Sequence, residues 1–181
     1  MAIKKTNPSW TDVKAKLADF DRPSLFGLVQ DLYTASKDNQ AFLHARLHLG
    51  EDVLKPYKEV IDRWLWPDVF KNQNTSVAKA KKAVADFKKA AGTSEGLAEL
   101  MVFYCERASG FSCDVALDDE AYLSALVRMF EQALRAVATL PESQRPALWT
   151  RLEMVPDRSH NIGYGVGEDM DALLAEHGAH D

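Results

Sequence analysis

The 181-residue sequence has only two cysteines, no long apolar run and no lysine after Lys89. Cys105 and Cys113 are too few for a disulfide scaffold, and no C-x-x-C pair indicates a zinc site. Two lysines near the start have no apolar segment behind them, and nowhere do eighteen apolar residues follow one another. These absences predict a protein that is neither secreted nor membrane-spanning and that resides in the reducing cytoplasm.

The sequence also lacks the alternating, β-branched pattern of strands, and it has no linker rich in Gly, Ser and Pro together. Apolar residues recur instead at three-to-four spacing, which is typical of amphipathic helices. Short polar connections between such helices favour antiparallel neighbours. We therefore predict one all-α domain over residues 1–181, a single compact array of eight or nine short antiparallel helices forming a bundle or an irregular superhelix.

Capping residues, glycines and prolines predict the helix bounds. The predicted helices cover residues 9–19, 22–36, 40–49, 52–66, 77–91, 95–109, 119–139, 143–154 and 167–177, and residues 37–40 and 109–119 are among the predicted connections. The second helix is expected to bury a stripe of four residues: Leu25, Leu28, Val29 and Leu32.

The longest predicted helix, over residues 119–139, is expected to lie at the centre of the core. Its apolar stripe consists of Tyr122, Leu123, Leu126, Val127, Phe130, Leu134 and Val137. Trp64 and Trp66 of an earlier helix lie about 200° apart around the helix axis. We therefore expect one of the two tryptophans in the core and the other partly exposed.

Charge is unevenly divided along the chain. Residues 1–91 contain 16 Lys and Arg against 11 Asp and Glu, whereas residues 92–181 contain 6 against 16. The division arises by chance, or two faces of one domain attract each other, or a basic surface meets an acidic partner such as another copy of the chain. In the second case we expect an antiparallel, two-fold dimer that weakens as salt rises, with Trp64 or Trp66 supplying its apolar patch.

The segment SHNIGYGVGED, residues 159–169, carries three alternating glycines. A dinucleotide site needs G-x-G-x-x-G after a strand, whereas this run has G-x-G-x-G spacing and follows a predicted helix. Asp and Glu at residues 168, 169 and 171 already complement the following helix N-terminus and would repel a phosphate there. We interpret Gly163, Gly165 and Gly167 as a turn that docks the last helix, with Tyr164 as a packing anchor.

The segment HARLHLGE, residues 44–51, places His44 and His48 four residues apart, close enough on one helix face to ligate a metal, with Glu51 continuing that face. Ala45 stands where the HExxH glutamate would be, and Gly50 is expected to end the helix before Glu51. Solvated histidines are the favoured interpretation, and we assign no metal ligand.

Residues 77–92, VAKAKKAVADFKKAAG, place five lysines between Lys79 and Lys89 around an apolar stripe. Such a face can bind nucleic-acid phosphates or anionic lipid. The helix lacks arginine and interleaved aromatic residues, and the whole chain is acidic, so we do not expect nucleic acid as a ligand. We expect a solvated face, with an acidic protein surface as the next candidate partner.

No catalytic nucleophile stands out from the sequence. Cys105 follows an apolar run, Cys113 lies in a predicted loop, and neither has a histidine nearby in sequence. A G-x-S-x-G elbow is also missing. The sequence therefore indicates no catalytic, cofactor-binding or metal-ligating residue.

Four segments carry a family resemblance over residues 24–177: LVQDLYTASKDNQAFLHARL, AKAKKAVADFKKA, LAELMVFYCERASGF and NIGYGVGEDMDALL. Together they resemble a family of uncharacterised bacterial all-helical proteins, a domain of unknown function. The resemblance implies a helical fold and an intracellular location, and it implies no activity, cofactor or catalytic residue.

Two functions from different classes remain after this reading. The favoured one is a non-catalytic interaction or scaffold module that binds a protein partner or itself. The alternative is a small enzyme or metal-binding protein whose site converges only in three dimensions. A deep polar pocket with several ionisable groups would favour the alternative, whereas an exposed apolar patch would favour the interaction module.

Overall fold

A computed structural model describes residues 7–178, which form nine α-helices joined by short connections, without a strand. The helices are α1 (Trp10–Leu17), α2 (Arg22–Ala35), α3 (Lys37–Leu47), α4 (Lys55–Leu65), α5 (Val77–Ala90), α6 (Ser94–Val115), α7 (Glu120–Ala138), α8 (Arg145–Ser159) and α9 (Val166–Gly178). Two short 3₁₀ turns, Val69–Lys71 and Glu142–Gln144, lie in connections. The predicted all-α array is confirmed.

The centre of the core is the pair α6 and α7. Helix α6 also packs against α4 and α8, while α9 lies against α7 and α8. Leu126, Phe130 and Leu134 of α7 are completely buried, as the three-to-four spacing predicted. Burying side chains of this size contributes about 1.5–3 kcal/mol each, so this stripe is a main source of stability.

Side-chain caps set most helix starts, and one of them corrects a predicted boundary. The hydroxyl of Ser36 accepts a hydrogen bond from the backbone N–H of Asn39 at 3.1 Å, and the Asn39 amide donates to the carbonyl of Leu32 at 2.6 Å. Residues 37–40 therefore form the first turn of α3 and not a connection, because the cap satisfies an amide that a helix start leaves unpaired.

Helix α6 runs six residues beyond its predicted end. Residues 109–115 contain Ser and Gly and were expected to be a connection, yet Gly110 is buried against Trp66. A Cβ atom at Gly110 would lie 2.5 Å from Cζ3 of Trp66, and the Ser112 hydroxyl donates to the carbonyl of Ala108 at 2.9 Å. The glycine is thus a helix-packing residue and not a helix terminator.

The expectation for Trp64 and Trp66 is wrong, because both side chains are half-buried and packed against the core. Trp66 lies on Gly110 and beneath the guanidinium of Arg107, 4.0 Å from the ring centroid. The ammonium of Lys79 lies 3.7 Å from the centroid of Trp64. Neither tryptophan therefore forms the exposed apolar patch expected of a charge-paired dimer.

The buried stripe expected on α2 is also wrong. Leu25, Val29 and Leu32 are exposed, Leu28 is half-buried, and neither α1 nor α2 contains a buried residue. The physical reason is that α2 packs against α3, itself a peripheral helix, and does not reach the core of α4–α9.

From residue 7 to residue 178, no helix combines the length and the apolar character needed to cross a bilayer.

Candidate functional site

The first candidate site is an apolar surface on α1, α2 and their connection, here called the N-terminal apolar face. Its members are large apolar side chains left exposed: Trp10, Val13, Phe20, Leu25, Phe26, Val29 and Leu32. Trp10 and Phe26 are 65% and 63% exposed. An excess of large exposed apolar side chains is typical of protein-interaction surfaces, because leaving them in water forgoes the free energy of burial.

This face is nearly neutral. Residues 7–36 contain three basic and four acidic side chains. Two of the acids are helix caps: Asp12 accepts the backbone N–H of Ser9 at 2.7 Å, and Asp21 accepts that of Ser24 at 2.8 Å. These hydrogen bonds lower the pKa of both carboxyls. These two carboxylates therefore stabilise the helix starts, and the N-terminal apolar face has almost no net charge.

The second candidate site is a groove between α3, α4 and α5, with a volume of about 840 Å³, here called the α3–α5 groove. Helices α4 and α5 are antiparallel neighbours, and α3 packs on α5. The walls combine apolar side chains (Ala41, Phe42, Pro56, Val60, Trp64, Ala83) with basic (Lys37, Arg63, Lys79, Lys82, Lys89) and acidic ones (Asp38, Glu59, Asp86). The volume is within the range of small-molecule sites.

One end of the α3–α5 groove is positively charged. The guanidinium of Arg63 lies 4.5 Å from the ring centroid of Trp64, which Lys79 also covers. Nη1 of Arg63 is buried without a hydrogen-bond partner. A buried donor left unpaired costs about 1–3 kcal/mol, so this end of the groove holds unsatisfied hydrogen-bonding capacity.

The other end of the groove carries a second unpaired polar atom. Tyr57 is 6% exposed, packs edge-on against Phe87, and its hydroxyl has no hydrogen-bond partner. Burial raises the pKa of Tyr57, and the nearby charges of Asp86 and Asp38 raise it further. The phenol is therefore a neutral group that can both donate and accept a hydrogen bond.

The glycine run has the geometry of a turn. Gly163 and Gly165 have φ angles of +83° and +67°, and a Cβ at Gly167 would lie 2.5 Å from Nδ1 of His160. The acidic start of α9 also faces His160, whose Nε2 is 3.1 Å from an oxygen of Asp171. The expected positive φ angles and close backbone approach are confirmed.

Tyr164, within the same run, does not have the expected role. Its ring is 58% exposed, and its hydroxyl donates to Oδ1 of Asp118 at 2.6 Å, which raises the pKa of the phenol. Tyr164 is therefore a surface hydrogen-bonding residue and not a packing anchor.

His44 and His48 do not form a metal site. Helix α3 ends at Leu47, three residues before Gly50, and His48 adopts a left-handed conformation with φ of +53°. Nε2 of His44 lies 3.1 Å from the hydroxyl of Tyr33. Across residues 7–178, no three His, Cys, Asp or Glu side chains come together as a group able to hold a metal ion, Glu51 included.

The lysines of α5 make contacts within their own domain. Lys82 pairs with Asp86, so the Lys79–Lys89 face of α5 is partly engaged with groups of its own domain.

Cys105 is completely buried, which raises its pKa well above its ordinary value. Burial also raises the pKa of Cys113. Both thiols are therefore poor nucleophiles, because the reactive thiolate is disfavoured.

Ion pairs connect the basic and acidic halves of the chain within one molecule. Lys58 of α4 lies 2.6 Å from Glu99 of α6, and Arg107 of α6 lies 2.5 Å from Asp62 of α4. Arg151 adds contacts to Glu99 and Glu106, at 2.6 and 2.7 Å. Of these pairs, Lys58–Glu99 joins a cation of residues 1–91 to an acid of residues 92–181, whereas Arg107–Asp62 joins the two halves in the opposite sense. The Arg151 pairs lie within residues 92–181, so only a small part of the charge division is compensated where α4 packs on α6.

No protein-family model, curated protein or solved structure matches this chain. The resemblance to uncharacterised bacterial helical proteins therefore stays a prediction.

Proposed function

We propose that this protein is a non-catalytic interaction module that associates with a second copy of itself through the N-terminal apolar face. One observation carries the proposal: α1 and α2 bury no residue, yet they leave Trp10, Phe26 and Leu32 exposed. Covering these side chains would remove apolar surface from water at about 25 cal/mol per Å².

A second copy suits this face better than a charged partner does. With three basic and four acidic side chains over residues 7–36, two copies meet without strong like-charge repulsion, and an oppositely charged partner gains little. A two-fold arrangement also covers the same face on both chains at once and closes the assembly. A dimer steered by charge would need Trp64 or Trp66 as its apolar patch, but both side chains pack against the core of their own chain.

The association is tested by light scattering after gel filtration at high protein concentration. We expect a mass of twice the 20.2 kDa chain for the native sequence and a monomer for the double variant Trp10→Ser, Phe26→Ser. Phe70→Ser is the matched control, because Phe70 is an exposed phenylalanine outside this face. A monomeric native protein, or a dimer that survives the double variant, contradicts the proposal.

We place this activity in the cytoplasm, supported by two free cysteines, and we assign it no cofactor and no nucleic-acid ligand.

A further inference from the structure

We propose that the α3–α5 groove binds a small organic monoanion, a molecule with an apolar body and a single carboxylate. This inference is independent of the proposed self-association, because the lining of the groove includes no residue of α1 or α2. It assigns a ligand class to a site that the sequence did not reveal.

The anionic group of the ligand would lie at the end formed by Arg63 and Lys79. Nη1 of Arg63 has no hydrogen-bond partner, and the guanidinium lies over the ring of Trp64 at 4.5 Å. Lys79 is fixed over the same tryptophan. Two cations already ordered by one aromatic ring lose little conformational freedom when an anion binds, and hydrogen bonds between ionised groups are among the strongest in proteins.

The apolar body would lie along the middle of the groove. Phe42 and Val60 line the groove and remain 38% and 37% exposed, and Ala83 adds a small apolar side chain to the same lining. A ligand that covers these side chains gains the free energy of removing both surfaces from water.

The far end of the groove would take an uncharged end of the ligand. Tyr57 lies six residues before Arg63 on α4, which is about 9 Å along the helix. Asp38 and Asp86 raise the pKa of Tyr57, so their negative charge acts at this end. An anion is therefore directed away from Tyr57 and toward Arg63.

The same acidic groups select for a single negative charge. Asp38, Glu59 and Asp86 line the groove together with its five cations, and Lys82 is already paired with Asp86. A polyphosphate or an acidic peptide would bring several charges against these carboxylates, whereas one carboxylate needs only the Arg63–Lys79 end.

The test is calorimetric titration of the whole chain with sodium octanoate and with octanamide, its uncharged analogue of the same shape. We expect octanoate to bind about tenfold more tightly or better, because only its carboxylate forms charge-assisted hydrogen bonds with Arg63 and Lys79. Arg63→Gln and Lys79→Gln should each lower the affinity for octanoate toward that for octanamide. Lys88→Gln is the matched control, since Lys88 lies on the same helix outside the groove lining.

Several results would overturn the assignment. These are no binding of octanoate, equal affinities for octanoate and octanamide, or an unchanged affinity in both groove variants. An equal loss in Lys79→Gln and Lys88→Gln would indicate general attraction to the lysines of α5 and would also overturn it. The oligomeric state of the native chain is read separately, so failure of the groove and failure of the N-terminal face are distinguishable.

Discussion

Residues 7–50 and residues 55–178 are both helical, but the first region exposes most of its apolar side chains, whereas the second buries many of them. The first region, α1–α3, buries a single residue, Ala45, whereas each of the helices α4–α9 buries at least three. Helices α2 and α7 both carry apolar residues at three-to-four spacing, yet α7 lies in the core and α2 exposes Leu25, Val29 and Leu32. The difference shows that spacing predicts a helix and its apolar side, while burial depends on whether another element covers that side.

The sharpest test of this contrast compares α7 with α2 in monomeric protein. Leu126→Ala and Phe130→Ala should each lower the free energy of unfolding by about 2–5 kcal/mol, because each leaves a cavity in the core. Phe26→Ala should change it by about 0.5 kcal/mol or less, as is usual for exposed sites. Urea denaturation measures all three, and a core variant that unfolds like the native protein would show that α7 is placed wrongly.

Two glycines sharpen the comparison at helix interiors. Gly110→Ala should lower the free energy of unfolding by about 1–3 kcal/mol, because the new methyl group overlaps the ring of Trp66. Gly27→Ala in α2 should be neutral or stabilising by up to about 1 kcal/mol, because nothing lies within 4 Å of its Cβ position and alanine favours the helix. Thermal unfolding measures both variants. Equal effects at the two glycines would mean that Trp66 moves away without cost.

The ion pairs of the core region predict an acid-dependent stability. Burial raises the pKa of Glu99, but hydrogen bonds and charge from Arg151 and Lys58 outweigh it and lower the pKa below its ordinary 4.5. Because the folded-state pKa is the lower one, the stabilisation is present above the unfolded pKa and is lost as pH falls through the folded value. Glu99→Gln should therefore cost about 1–3 kcal/mol at pH 7.

That cost should shrink as pH falls below the ordinary pKa of Glu99. Urea denaturation at several pH values measures it, and Glu51→Gln, at an exposed position between α3 and α4, is the control. A cost for Glu99→Gln that does not change with pH would mean that the charge of Glu99 is not what stabilises the fold.

Of these tests, a change in salt concentration should have the smallest effect. The fraction of dimer at low and high salt separates two modes of association. A dimer formed through the N-terminal apolar face should persist between about 0.05 and 0.5 M salt, because the screened charges are not its main attraction. A dimer steered by the charge difference between residues 1–91 and 92–181 should weaken over the same range. Light scattering at both salt concentrations distinguishes them, and a clear loss of dimer at high salt would favour the charged interface.

Little of the candidate sites was predictable from the sequence. The N-terminal apolar face was missed because Leu25, Val29 and Leu32 form an ordinary amphipathic stripe. The adjacent Phe26, which widens the apolar side of α2, was the available signal. The α3–α5 groove gave only a partial signal, the lysine-rich face of α5 that includes Lys79. Its other polar groups, Tyr57 and Arg63, come from α4, and each is unremarkable in its own segment.

The amino-acid sequence alone determined the features that depend on neighbours along the chain. Helical spacing, the cap of α2 at Asp21, and the positive φ angles of Gly163 and Gly165 are local, because each depends on hydrogen bonds or steric limits within a few residues. Only the tertiary structure decided that α6 continues through Gly110, that Trp64 and Trp66 both pack inward, and that α2 stays uncovered. These outcomes depend on which helices approach one another, and that choice is a property of the whole packed core.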